Sequence, residues 1–146
     1  MTTARSMKRH ALCVVAYVAA TFLVQGSAHF AVFSAHYAAI SILRAEPRFA
    51  LGLTSMVIQG AILSYVLVNS RFNSGRLWDA LRVAWCFGGF LLSYIALAEA
   101  GKYAIADVPA WMAVETTSAL VQYTLIGVAY SLIHRRAVDA PQTARE

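Results

Sequence analysis

The chain has 146 residues, of which 60% are hydrophobic and 13% charged, with a net charge of +5 and a mean hydropathy of +0.60. A soluble domain carries about 25% charged residues, so this composition points to a polypeptide resident in lipid. The positive excess is not arranged as a basic stripe with interleaved aromatics, which excludes a nucleic-acid partner and leaves the lipid bilayer as the expected one.

Residues 1–10, MTTARSMKRH, are polar and basic and precede an apolar run over 11–33 that is long enough to span. A second reading of this segment is open. A basic start, apolar 11–24 and the small residues Gly26-Ser27-Ala28 also fit a cleaved signal peptide. Apolar character resumes at Phe30-Ala31-Val32-Phe33, which favours a retained span. Residues 34–48 form a short connection with some helix, closing on Pro47, whose missing N–H suits the first turn of the next helix.

The second span is expected over 49–68 and stops at the turn-forming octet 69–76, NSRFNSGR. The third covers 77–100, with Arg82 snorkelling to the near surface. Gly101 is a natural helix stop and Pro109 a natural start, so the fourth span is 109–133. A polar tail is expected over 134–146. Each run reaches or approaches the ~20 residues that cross a hydrocarbon core as helix. The expected fold is therefore an all-α integral membrane four-helix bundle forming a single domain.

Cations set the expected orientation. Arg5, Lys8, Arg9, Arg71, Arg76, Arg82, Arg135, Arg136 and Arg145 fall on one side, and Arg44, Arg48 and Lys102 on the other. Both termini are then cytoplasmic, in a bacterial inner (plasma) membrane. Trp78 and Trp111 are expected at opposite interfaces.

A tandem plan is also legible. Thr54-Ser55-Met56-Val57-Ile58-Gln59 reads almost like Thr117-Ser118-Ala119-Leu120-Val121-Gln122, each about a dozen residues beyond a proline. Either six short residues match by chance, or two two-helix units repeat about an axis along the membrane normal. The repeat predicts Gln59 and Gln122 on equivalent faces at similar depth.

Polar residues inside the spans are the candidate site. Gln25 and His29 share a face of the first helix, and Glu115, Ser118 and Gln122 share one of the fourth. Intramembrane glutamines commonly hold helices together, which is the plain reading of Gln25, Gln59 and Gln122. Glu115 is the one charged residue in its run. It either reaches the interface to pair with Arg44, Arg48 or Lys102, or serves as a proton- or cation-binding carboxylate. His29, at matching depth on the first helix, is its expected partner. His29 and His36 are separated by about 10.5 Å along a helix, too far to share one metal ion. Cys13 and Cys86 form no C-x-x-C, which argues against a thiol–disulfide oxidoreductase. No cofactor, metal or catalytic residue is expected. The leading expectation is a transport or permeation unit for a proton or small polar solute, with Glu115, His29, Gln122, Gln59 and Gln25 binding it. The alternatives are an accessory subunit without its own chemistry and a small membrane-embedded enzyme. A homo-oligomer or a membrane-protein partner fits any of them.

Overall fold

The computed structural model describes residues 3–40, 44 and 46–138. Most of those residues are helical, with no strand among them. Helix α1 (Thr3–Ser27) continues through a π-helical turn (Ala28–Val32) into the short α2 (Ser34–Ala38). Helix α3 (Phe49–Asn69) follows, then α4 (Leu77–Leu92), which passes through a second π segment (Ser93–Glu99) into α5 (Ala100–Lys102). Helix α6 (Val108–Val138) closes the chain. Four stretches, Ser6–Val32, Phe49–Asn69, Leu77–Lys102 and Val108–Arg135, are long and apolar enough to cross a membrane. The protein is an all-α four-helix membrane bundle.

Consecutive spans run antiparallel, and α1 packs against both α3 and α6, while α4 packs against α6. The start of α1, the 70–76 loop, the end of α3, the start of α4 and the end of α6 therefore gather at one end, called here the terminal end. Residues 33–40, 46–48 and 103–107 lie at the other, the loop end.

Two boundaries differ from the sequence reading. The basic segment 3–10 is already part of the first helix, because no Pro or Gly interrupts it, and Arg9 is buried. The expected polar tail likewise begins too early. Helix α6 runs on to Val138, since His134 is buried among polar partners; residues 139–146 lie outside the described set. The start of α6 is fixed by Asp107 as well as by Pro109: its carboxylate accepts the Ala110 N–H at 2.9 Å, satisfying an otherwise orphan donor.

Close approach of α4 and α6 depends on Gly88. A Cβ there would meet the Tyr123 ring at 2.4 Å, so only glycine admits that ring. Gly75, with φ +74°, turns the loop back over Arg135 in a conformation that favours glycine. The largest core cluster includes Cys13, Tyr17, Leu63, Leu67, Tyr123, Ile126 and Tyr130. A second, at the loop end, holds Ala28, Tyr37, Trp111 and Val114. Trp111 is thus a core residue and not a belt residue: it is buried and its Nε1–H donates to the Ile95 carbonyl, inside the second π segment, at 3.1 Å. Trp78 is exposed, and Arg82 pairs with Asp79 at 3.5 Å across one turn of α4.

Two observations bear on the tandem plan. The first helix of each pair leaves its span through a π segment at the loop end. The side-chain contacts, however, are unlike. Gln59 and Gln122 both bond to α1, whereas a two-fold that carries α1 onto α4 would send Gln122 to α4.

Candidate functional site

The polar side chains of α1 and the π-helical turn that continues it recur every fourth residue: Arg9, Cys13, Tyr17, Thr21, Gln25 and His29. Residues four apart form one ridge of a helix surface, and such ridges interdigitate with the like ridges of a neighbour. On α6 the facing ridge is Ser118, Gln122, Ile126, Tyr130 and His134, all buried. Between these ridges lie three hydrogen-bonded segments, each one helical turn from the next along α1.

At the terminal end, Asn73, His134 and Cys13 form a directed set. The Asn73 amide nitrogen donates to the Val68 carbonyl at 2.9 Å, so its oxygen faces His134 Nδ1, 2.6 Å away. That oxygen can only accept, which puts the imidazole proton on Nδ1. Nε2 then carries the lone pair and accepts from the Cys13 thiol at 3.7 Å. Beside this set, His10 Nδ1 and Ser64 Oγ are 2.8 Å apart.

In the middle, the Tyr17 hydroxyl donates to Gln59 Oε1 at 2.7 Å, and Gln59 Nε2 donates to Ser55 Oγ at 3.0 Å. Because Tyr17 has one proton to give, the 2.9 Å contact with Tyr123 must be donated by Tyr123. The rings of the two tyrosines meet edge to face. One turn further, Gln25 Nε2 donates to Gln122 Oε1 at 2.8 Å, and Gln122 Nε2 donates to Thr21 Oγ1 at 3.1 Å. A groove of about 110 Å³ borders Gln25 and His29, and its other walls, among them Phe22, Phe30, Phe49 and Met56, are apolar.

At the loop end, the Tyr37 hydroxyl donates to Glu115 Oε1 at 2.7 Å, and the Tyr37 ring stacks on His29 with centroids 3.6 Å apart. Burial, together with the hydrogen bond to Glu115 and its charge, pushes the Tyr37 phenol above its ordinary value of 10.0. It is therefore a donor throughout the physiological range. The Nε2 of His36 and the Oγ of Ser118 are buried and make no hydrogen bond.

Of the sequence-predicted residues, Gln25 and Gln122 are brought together, and Gln59 is bound to α1 at its other neighbour. His29 and Glu115 share no direct bond: Tyr37 stands between them. The ion pair among the described residues is Arg82–Asp79, so Glu115 is matched by a phenol and not by Arg48 or Lys102. Tyr17, Tyr123, Thr21, Cys13, His134, Asn73 and Tyr37 were missed. A period-four count along α1 that treated Tyr, Thr and Cys as polar would have found the first ridge. Tyr37 and Asn73 lie in connections and left no signal.

No family model, curated protein or solved structure matches this chain. Among the described residues no group of three or more His, Cys, Asp or Glu side chains could hold a metal ion.

Proposed function

We propose that this protein conducts protons across the membrane along the α1–α6 seam. One observation carries the reading: a file of exchangeable groups, buried in the bundle, runs from Glu115 and Tyr37 at the loop end to Cys13 and His134 at the terminal end. Hydroxyl, thiol, imidazole and carboxyl groups each accept one proton and release another. The glutamines orient them. Among the described residues no side-chain bond joins Cys13 to Tyr17 or Gln25 to His29, so transiently entering water would carry the proton over these two one-turn steps of about 6 Å. Glu115 loads the proton, because an acid inside a membrane is costly unless it takes part in function. A proton fits this seam better than a solute, since Tyr17 and Tyr130 are packed without exposure.

The cation bias supports a cytoplasmic terminal end, with Glu115 towards the outside. Reporter fusions after residues 8 and 74 then read cytoplasmic, and fusions near 104 read external.

The test is flux in proteoliposomes holding a pH dye, driven by a potassium diffusion potential. Wild type should acidify the lumen, and Glu115→Gln should abolish this without loss of fold. A wild-type flux equal to that of empty liposomes would sink the proposal. The seam would then serve only to hold helices together, as an accessory subunit requires.

A further inference from the structure

Away from the α1–α6 seam, a cleft of about 570 Å³ opens sideways between α3 and α4. Its walls are graded along the membrane normal. Leu63 and Val66 of α3 face Phe87 and Phe90 of α4 in its deeper part, while Ser70, Phe72 and Arg82 line it at the terminal end. From Arg82 to Phe90 is about 12 Å of helix rise, so the cleft runs from the interface well into one leaflet. The Arg71 guanidinium sits 5.0 Å over the ring of Phe72, which lines the cleft at its terminal end.

Charge at this mouth is unbalanced. Arg82 on the lining and Arg71 over a lining ring are set against one acid, Asp79, which pairs with Arg82 and whose second oxygen already accepts from Ser74 Oγ at 2.5 Å. The Arg82–Asp79 pair is long, and Arg82 is 64% exposed; exposed pairs of that kind are weak and yield to a better anion. Guanidinium groups are the side chains best shaped for phosphate oxygens. An apolar slot of one leaflet's depth, ending in unneutralised arginines, has the gradient of one amphiphile. We infer that the α3–α4 cleft binds an anionic phospholipid, its phosphodiester held by Arg71 and Arg82 and an acyl chain lying against Val66, Phe87 and Phe90.

This site is independent of proton conduction, and it can be tested by binding alone. The purified full chain is mixed in detergent with phosphatidylglycerol or phosphatidylcholine of identical acyl chains and weighed by native mass spectrometry. The anionic lipid should be retained at least tenfold better, at one molecule per chain. Arg71→Gln with Arg82→Gln should remove the preference. Cys86→Trp, at an exposed position lining the cleft, should expel the lipid with every arginine still present. Lys102→Gln, at the loop end, should change nothing. Equal retention of both lipids would overturn the inference. So would a preference that survives either the double variant or Cys86→Trp, which would mean adsorption elsewhere on the basic end. A lipid-free mass of two chains would assign the cleft to a second copy instead.

Discussion

The hydroxyl of Tyr17 lies 2.9 Å from that of Tyr123 and 2.7 Å from the Gln59 amide oxygen, joining α1, α3 and α6 at one buried point. Tyr17 makes two bonds there and Tyr123 one. Interhelical bonds in membranes average about 0.6 kcal/mol each. Tyr17→Phe should therefore cost about 1–2 kcal/mol in a denaturation assay in detergent, roughly twice the cost of Tyr123→Phe. The double variant should cost less than the sum, because both singles remove the shared bond. Both should lower proton flux, Tyr17→Phe the more. Equal and additive losses would mean that the hydroxyl contact contributes nothing.

Tyr37 and Glu115 make the second test. Tyr37→Phe leaves a buried carboxyl oxygen without its donor, a change worth about 1–3 kcal/mol. It also removes a pH dependence whose sign follows from the raised phenol. A group bound more tightly to its proton in the folded state adds stability below its unfolded value of 10.0 and loses that contribution as pH rises beyond it. The wild type should lose stability between pH 10 and 12 more steeply than Tyr37→Phe. Parallel curves would separate Tyr37 from Glu115.

The spans could be read from hydropathy because lipid imposes a length and an apolar composition on any helix that crosses it. Glu115, Gln25 and Gln122 stood out for the same reason, as polar residues in apolar runs. What was hidden is which groups meet. Tyr17, Tyr123 and Cys13 count as apolar in a hydropathy reading, yet their hydroxyl and thiol tips carry the contacts. Tyr37 reaches Glu115 from α2, a five-residue helix in a connection, and Asn73 reaches His134 from a loop. Such pairs depend on how segments fold back, which no local spacing encodes. The 54–59 and 117–122 likeness does not extend to the contacts for a related reason: equal spacing places Gln59 and Gln122 alike on their own helices, but the partner is chosen by the neighbouring helix, and α1 lies beside both.

Gly88 sets the distance between α4 and α6. Gly88→Ala would put a Cβ 2.4 Å from a Tyr123 ring atom, and the ring's near end is not free to swing away. Overpacking of this kind costs about 1–3 kcal/mol. Helices α4 and α6 should part, Tyr123 should move from Tyr17, and flux should fall with stability. Gly89→Ala, where a Cβ meets nothing within 4 Å, is the matched control and should be neutral. A Gly88→Ala variant as stable as Gly89→Ala would refute the close packing.

The last prediction concerns Asn73, which acts on Cys13 through His134. Its amide oxygen, 2.6 Å from Nδ1, holds the imidazole proton on that nitrogen and leaves Nε2 to accept from the thiol. Asn73→Leu removes the acceptor, so the proton is free to move to Nε2, where it would face the Cys13 sulfur and block the thiol's transfer. Nitrogen-15 NMR of the histidine ring reads the tautomer directly. Wild type should give one form, protonated at Nδ1, and Asn73→Leu a mixture, with proton flux reduced in step. Asn73→Asp keeps an oxygen at the same place and should restore the single tautomer and the flux. If Asn73→Leu alters the tautomer but leaves flux intact, Cys13 and His134 lie off the proton's path, and conduction leaves the seam above them at Tyr17.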